Sequence, residues 1–188
     1  MLSRLMSAAS TIDDVIQFWF EELGPRDWYR VDADVDIGIV TRFGDLYEEL
    51  KDGVPEFWLD APHSYLAAII VLDQFPRNMF RGDEKSFATD ALALSLAKRA
   101  IDEGRDRELP PQQRAFIYLP FQHAEDATDQ AQSVALFTAL GNPLNLDFAL
   151  RHQAVIDRFG RFPHRNDVLA RSPTQEEREF LATSATPF

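Results

Sequence analysis

No cysteine occurs in the 188-residue chain. Disulfides, thiolate metal sites and thiol nucleophiles are therefore excluded. Basic residues are scarce: 19 Lys and Arg stand against 31 Asp and Glu, a formal net charge of -12. That balance argues against non-specific binding to nucleic acid or to an anionic membrane, since both need surplus Lys and Arg. Long apolar runs are missing too. The most apolar stretch, Tyr65-Leu66-Ala67-Ala68-Ile69-Ile70-Val71-Leu72, falls far short of the roughly 20 residues that span a bilayer. Met1 to Ser10 holds one Arg and no sustained apolar core before Asp13 and Asp14, so no signal peptide is read and a cytoplasmic protein is expected. The chain has no Gly-rich phosphate loop, no nucleophile elbow and no His-Glu-x-x-His spacing. No cofactor is implied, and nothing in the sequence sets an oligomeric state.

Strand signals are absent as well: no segment alternates, and no Asn-Gly or Asp-Gly hairpin joins β-rich runs. What is present is helical periodicity. Ser10 to Asp13 reads as a helix cap with an acidic first turn, and Val15, Ile16, Phe18, Trp19, Phe20 and Leu23 form an apolar stripe that Gly24-Pro25 ends. Trp28 and Tyr29 are expected to anchor the following loop to the core. From Asp34, apolar residues recur at three and four through Leu50, with Asp34 and Asp36 expected as a solvated helix start. His63 to Phe75 is apolar on nearly all sides, which marks a central helix. Pro76 predicts a break or sharp kink at Phe75. Further helices are expected over about 86–103, from Pro110-Pro111 to an interruption at Pro120, over 127–140 and over 145–159. The run Ser172-Pro173-Thr174-Gln175-Glu176-Glu177 is a helix-start signature. The fold class is all-α, with about eight or nine helices in antiparallel pairs. No linker or composition shift divides residues 1–188, so a single all-helical domain is expected.

Three places share a design in which an apolar run meets a proline and polar side chains follow at once. They are Phe75-Pro76-Arg77-Asn78, Leu119-Pro120-Phe121-Gln122-His123 and Phe162-Pro163-His164-Arg165-Asn166. A helix restarting after proline offers unpaired N–H groups and a positive dipole end. Arg77, Asn78, Arg81, Arg161, Arg165 and Asn166 would add donors for a small anion. Asp73, Arg77 and Arg81 are four apart and share a helical face. His123 and Asp126 are three apart, a spacing that suits a carboxylate orienting an imidazole. Two readings stay open. In one, the breaks converge on a cleft for a small anionic ligand; in the other, Asp73, Arg77, Glu125, Asp126 and Arg165 form a buried ion-pair network that fixes helix ends. His123, Glu125, Asp126, His152 and His164 could ligate a metal by residue type, but no ligand spacing supports it, and no metal is assigned.

The blocks Leu72 to Gly82 with Phe87-Ala88-Thr89-Asp90, Tyr118 to Asp126, Arg158 to Asn166 and Ser172 to Glu177 resemble the uncharacterised bacterial family catalogued as domain of unknown function 924. The opening Val15-Ile16-Gln17-Phe18-Trp19-Phe20 also fits. Gln122 and Ala124 stand where relatives often differ. The resemblance covers nearly the whole chain. It implies a tetratricopeptide-like helical fold and no activity. Two functional readings follow. The first is a binding or scaffold module for a small anionic ligand or a peptide. The second is a hydrolase or lyase acting on a small anionic metabolite. Its candidate catalytic groups are Asp73, His123, Glu125, Asp126 and His164, with Arg77, Arg81 and Arg165 clamping the anion.

Overall fold

A computed structural model describes residues 11–183; Ser10, the expected start of the first cap, lies outside them. Among the described residues all regular structure is helical and there is no strand. Helix α1 covers 11–17 and passes into a π turn, Phe18–Glu22. Then come α2 (Ala33–Leu50), α3 (Pro62–Ile69) with a second π turn at Ile70–Gln74, and α4 (Phe75–Met79). Helices α5 (Asp90–Asp102), α6 (Pro111–His123), α7 (Ala127–Leu140), α8 (Pro143–Phe159) and α9 (Gln175–Thr183) complete the order. No described helix is long and apolar enough to cross a membrane. The chain divides into two compact units. The first holds the residues up to Arg81 and Lys85–Pro120; the second holds Gly82–Glu84 and the residues from Phe121 on.

The first unit is built around α3. Every residue from Tyr65 to Asp73 is fully buried, which is why this helix can be apolar on all sides. Helix α5 packs against α3, and α2 packs against the second π turn and α4. An aromatic cluster seals the unit: Phe75 lies 4.9 Å from Phe43 and 5.6 Å from Trp19, ring centre to ring centre, and Trp19 meets Phe116 at 5.8 Å. Aromatic contacts at such separations contribute about 1 kcal/mol each beyond burial. Trp28 anchors its loop as expected, stacking on Trp19 and donating from Nε1 to the Trp19 carbonyl at 2.8 Å. Tyr29 does not, since it is 66% exposed.

Neither proline in mid-segment breaks its helix. The chain runs from the second π turn straight into α4 with Pro76 in its first turn, where a missing N–H costs little. The π turn has already widened the spiral, which relieves the clash between the pyrrolidine ring and the preceding turn. The carbonyl of Leu72, four residues before Pro76, accepts the Thr89 hydroxyl at 2.5 Å. Both residues are buried. Replacing Thr89 by valine keeps the shape and leaves that carbonyl without its donor, so stability should fall by about 1–3 kcal/mol. The check is the urea midpoint read by tryptophan fluorescence, and an unchanged midpoint would contradict the assignment. Pro120 likewise sits inside a continuous α6.

The second unit is a helical hairpin with a C-terminal brace. Asp126 caps α7, accepting from the Thr128 and Asp129 N–H groups at 2.8 and 3.0 Å. Gly141 ends α7 at φ +78, a left-handed conformation that favours glycine. Asn142 caps α8 at once, with Pro143 in the first turn, so only two residues separate the helices. Gln130, wholly buried on α7, donates to the carbonyls of Gln122 and Ala124, both at 2.8 Å, and ties off the end of α6. Val155, Ile156 and Phe162 form a small core that Phe159 and Phe180 cover. Helix α9 opens with a reciprocal capping box. The Glu177 N–H donates to Thr174 Oγ1 at 3.2 Å, and the Thr174 N–H donates to Glu177 Oε2 at 2.6 Å.

Candidate functional site

The ionisable residues singled out in the sequence fall into groups within each unit. In the first, the second π turn delivers Asp73 to a fully buried position. Arg77, one turn on, answers it: Nη1 lies 3.3 Å from Asp73 Oδ1 and also donates to the Asp73 carbonyl. The same guanidinium reaches Asp90, with Nη1–Oδ1 at 3.0 Å and Nη2–Oδ2 at 3.1 Å. Burial would lower the Arg77 pKa, but the charges of Asp73 and Asp90 outweigh it and raise it. Arg81 does not follow Asp73 and Arg77 down the shared face. Its Nε and Nη2 grip Asp36 at 2.7 and 2.9 Å, and Asn78 Nδ2 donates to Asp36 Oδ1 at 2.8 Å.

Asp36 is thus a clasp between α2 and the segment after α3, and no solvated helix start. Burial would raise its pKa, but the hydrogen bonds from Arg81 and Asn78 prevail and hold it below the usual carboxylate range. Asp32 caps α2 instead, accepting from the Asp34 N–H at 3.0 Å.

In the second unit, Glu125 takes the Phe162 N–H at 2.7 Å and a forked pair from Arg171 at 2.6 and 3.0 Å. Burial pushes its pKa up, yet the Arg171 fork and the Phe162 N–H prevail and lower it. Arg171 also donates to the Phe162 carbonyl at 3.0 Å and to Asn166 Oδ1 at 3.1 Å. Ala170 carries φ +51, an unfavourable value for a residue with a Cβ. That strained turn is what brings Arg171 back onto its acceptors. Arg161 forks onto Glu177 at 2.6 and 2.8 Å. With the Arg161 bonds as the leading cause, the Glu177 pKa falls to about 2. Asp126 serves α7 as a cap.

The second unit also holds a different kind of group. Phe162 is fully buried, and two imidazoles and one guanidinium lie against it. His152 meets it edge-on at 5.5 Å, His164 lies at 5.6 Å, and the Arg165 guanidinium sits over the ring at 4.7 Å. His123 lies 6.4 Å from His152 and supplies the carbonyl that accepts from Arg165 Nη2 at 3.1 Å.

His152 Nδ1 is 2.8 Å from the Phe148 carbonyl. A carbonyl only accepts, so Nδ1 carries the proton and Nε2 is left with its lone pair. Burial, first of all, drives the His152 pKa down to about 3. Burial followed by the nearby Arg165 charge drives His164 to about 4. Both imidazoles are neutral at physiological pH, and perturbations of this size mark candidate sites. Among the described residues no group of three or more His, Asp or Glu is arranged to hold a metal.

So Asp73 and Arg77 meet, as do His123, His164 and Arg165, whereas Arg81 and Arg161 are held by carboxylates remote in sequence. Reading the sequence missed Asp36, Asp90 and Arg171 as partners. Their pairings span 13 to 46 residues, and no spacing rule reaches that far.

Fold and site together define an all-α protein whose ionisable side chains are gathered at helix ends. The chain belongs to a bacterial protein family of unknown function, DUF924, whose profile matches residues 15–185. It is similar to the solved structure of a protein of unknown function from Agrobacterium tumefaciens. The two are 40% identical, with a TM-score of 0.86 over 94% of this chain and 99% of the other. Among curated proteins none matches the chain.

Proposed function

We propose that this protein is a helical binding module whose ligand site is the imidazole–guanidinium group around Phe162, and that the ligand is a small oxyanion. The observation that carries the reading is the company Arg165 keeps. The Arg165 guanidinium lies on the Phe162 face, His164 lies against the same ring, and the His123 carbonyl accepts from Arg165 Nη2. A neutral imidazole donates an N–H without adding charge, and a guanidinium supplies charge and a planar fork; together they suit a carboxylate or phosphate. The α7–α8 hairpin also supports the tetratricopeptide-like pairing in this reading, since such pairs are a common frame for ligand surfaces.

The test is a thermal-shift series with inorganic phosphate, sulfate and citrate. At a hundredfold excess over Kd a ligand stabilises by about 2.7 kcal/mol, which shifts the midpoint by roughly 5–10 °C in a chain of this size. At least one anion should give such a shift in the wild type. Arg165→Lys, which keeps the charge and loses the fork, should reduce it, His164→Ala should abolish it, and Arg81→Ala should retain it. No shift in the wild type, or one that both site variants keep, would refute the reading.

A further inference from the structure

The outer face of α2 carries an apolar ridge that is exposed among the described residues. Ile37 is 64% exposed and Val40 51%. Ala33 and Thr41 are exposed beside them, and Gly44 is half-buried. At 100° per residue these five positions share an arc of about 100°. Ala33, Ile37, Val40 and Gly44 follow one another at spacings of four, three and four, the repeat that a partner helix reads. The core of the first unit uses the opposite face, through Ile39, Phe43, Leu46, Tyr47 and Leu50.

Two further observations indicate what the ridge meets. The first is glycine. Gly38 and Gly44 both lie inside α2, and a Cβ built on either would meet nothing within 4 Å. Neither has a positive φ, and glycine in a helix interior is destabilising relative to alanine. The fold of the chain requires glycine at neither position; at Gly44, which lies on the ridge, the missing side chain leaves room for another backbone to approach closely.

The second is charge. Asp34, Asp45, Glu48 and Glu49 are exposed on α2; Glu48 is paired with Lys51 just past the helix end at 2.5 Å, and the helix's one cation, Arg42, is forked onto Glu22 at 2.5 and 3.0 Å. A second copy of a chain with net charge -12 would set carboxylate against carboxylate.

We propose that the α2 ridge is a docking surface for a basic amphipathic helix of a partner protein. The partner's apolar stripe would lie along Ala33, Ile37, Val40 and Gly44, and its Lys and Arg would flank the stripe opposite the α2 carboxylates. Mixed apolar and charged recognition of this kind follows the helix-in-groove mode.

The probe is a set of fluorescein-labelled 18-residue helical peptides with Leu and Ile at the seam and Lys at the flanks, in three registers, with Glu-flanked counterparts. Binding to the whole chain is followed by anisotropy, alongside sedimentation of the protein alone. At least one Lys-flanked peptide should bind saturably, at least tenfold more weakly to Ile37→Glu or Val40→Glu, and more weakly in 0.5 M salt. Both substitutions are at exposed sites and should leave the thermal midpoint in place. Gly44→Ala should raise that midpoint by about 2 °C while weakening the peptide. Gly38→Ala, off the ridge, should raise it and leave binding intact. The proposal is overturned if no Lys-flanked peptide binds, if Glu-flanked peptides bind equally, or if Ile37→Glu binds as the wild type does. It is also overturned if the wild type sediments as a dimer that Ile37→Glu disperses, since a second copy would then be the occupant.

Discussion

Replacing Arg77 by alanine should lower the melting temperature of the first unit by about 10 °C. Asp73 is fully buried, and 21% of the Arg77 side chain is exposed. Removing the cation leaves a buried carboxylate with its principal counter-charge gone. Losing one member of a buried pair costs about 3–5 kcal/mol, and each kcal/mol shifts the midpoint by about 2–4 °C in a chain of this length. The partial exposure of Arg77 places the expected loss at the lower end. The signal is direct, because Trp19, Trp28 and Trp58, all three tryptophans of the chain, lie in the first unit.

The double variant Asp73→Asn with Arg77→Ala should recover much of the loss, since an amide has no charge to desolvate. A harmless Arg77→Ala would show that the π turn at Ile70–Gln74 holds its shape without the ion pair. A double variant no better than the single one would place the effect in lost packing against Phe87, which lies 5.8 Å from the guanidinium.

Acid should weaken the second unit well before ordinary carboxylates titrate. His152 and His164 are held to about 3 and about 4 from an ordinary 6.5. An unfolded chain takes up these protons as pH falls through 6.5, and the folded chain declines them. Their contribution is therefore complete above pH 6.5 and is lost as pH falls towards 4.

One unit of pKa displacement corresponds to about 1.4 kcal/mol. The two imidazoles together should cost a few kcal/mol between pH 6.5 and 4.5, after allowance for solvent screening of the half-buried His164. Glu177, held at about 2, and Glu125, held below its usual range, add a separate loss. Their stabilisation is complete above pH 4.5 and falls away below it. Urea midpoints from circular dichroism at half-unit pH steps would trace both phases. His152→Gln keeps a donor for the Phe148 carbonyl and removes one titration, so the upper slope should fall by about half. An unchanged slope would mean that His152 takes its proton near 6.5.

Much of this architecture can be read along the chain, because helix ends are local events. Gly141 and Gly160 after their helices and the Thr174-to-Glu177 box each act within about four residues, whereas Asp126, expected to orient His123, caps α7 instead. The central burial of Tyr65 to Leu72 follows from an apolar run with no polar face.

The prolines misled for a physical reason. Whether Pro76 breaks a helix depends on who takes the orphaned Leu72 carbonyl, and that donor, Thr89, is 17 residues away. The same limit hides the clasps. Nothing near Asp36 announces Arg81, and nothing near Glu125 announces Arg171; folding makes both pairs. In the sequence His152 is a histidine on a helix and a metal ligand by residue type alone, and its burial against Phe162 is made by folding.

The most direct measurement is a ¹⁵N-detected titration of the histidine side chains, run from pH 8 to 4 with and without inorganic phosphate. The account predicts that two imidazoles stay neutral down to pH 5, one of them with its proton on Nδ1. It also predicts that phosphate moves their signals together with that of the Arg165 Nε. All four histidines titrating near 6.5, with no response to phosphate, would contradict it.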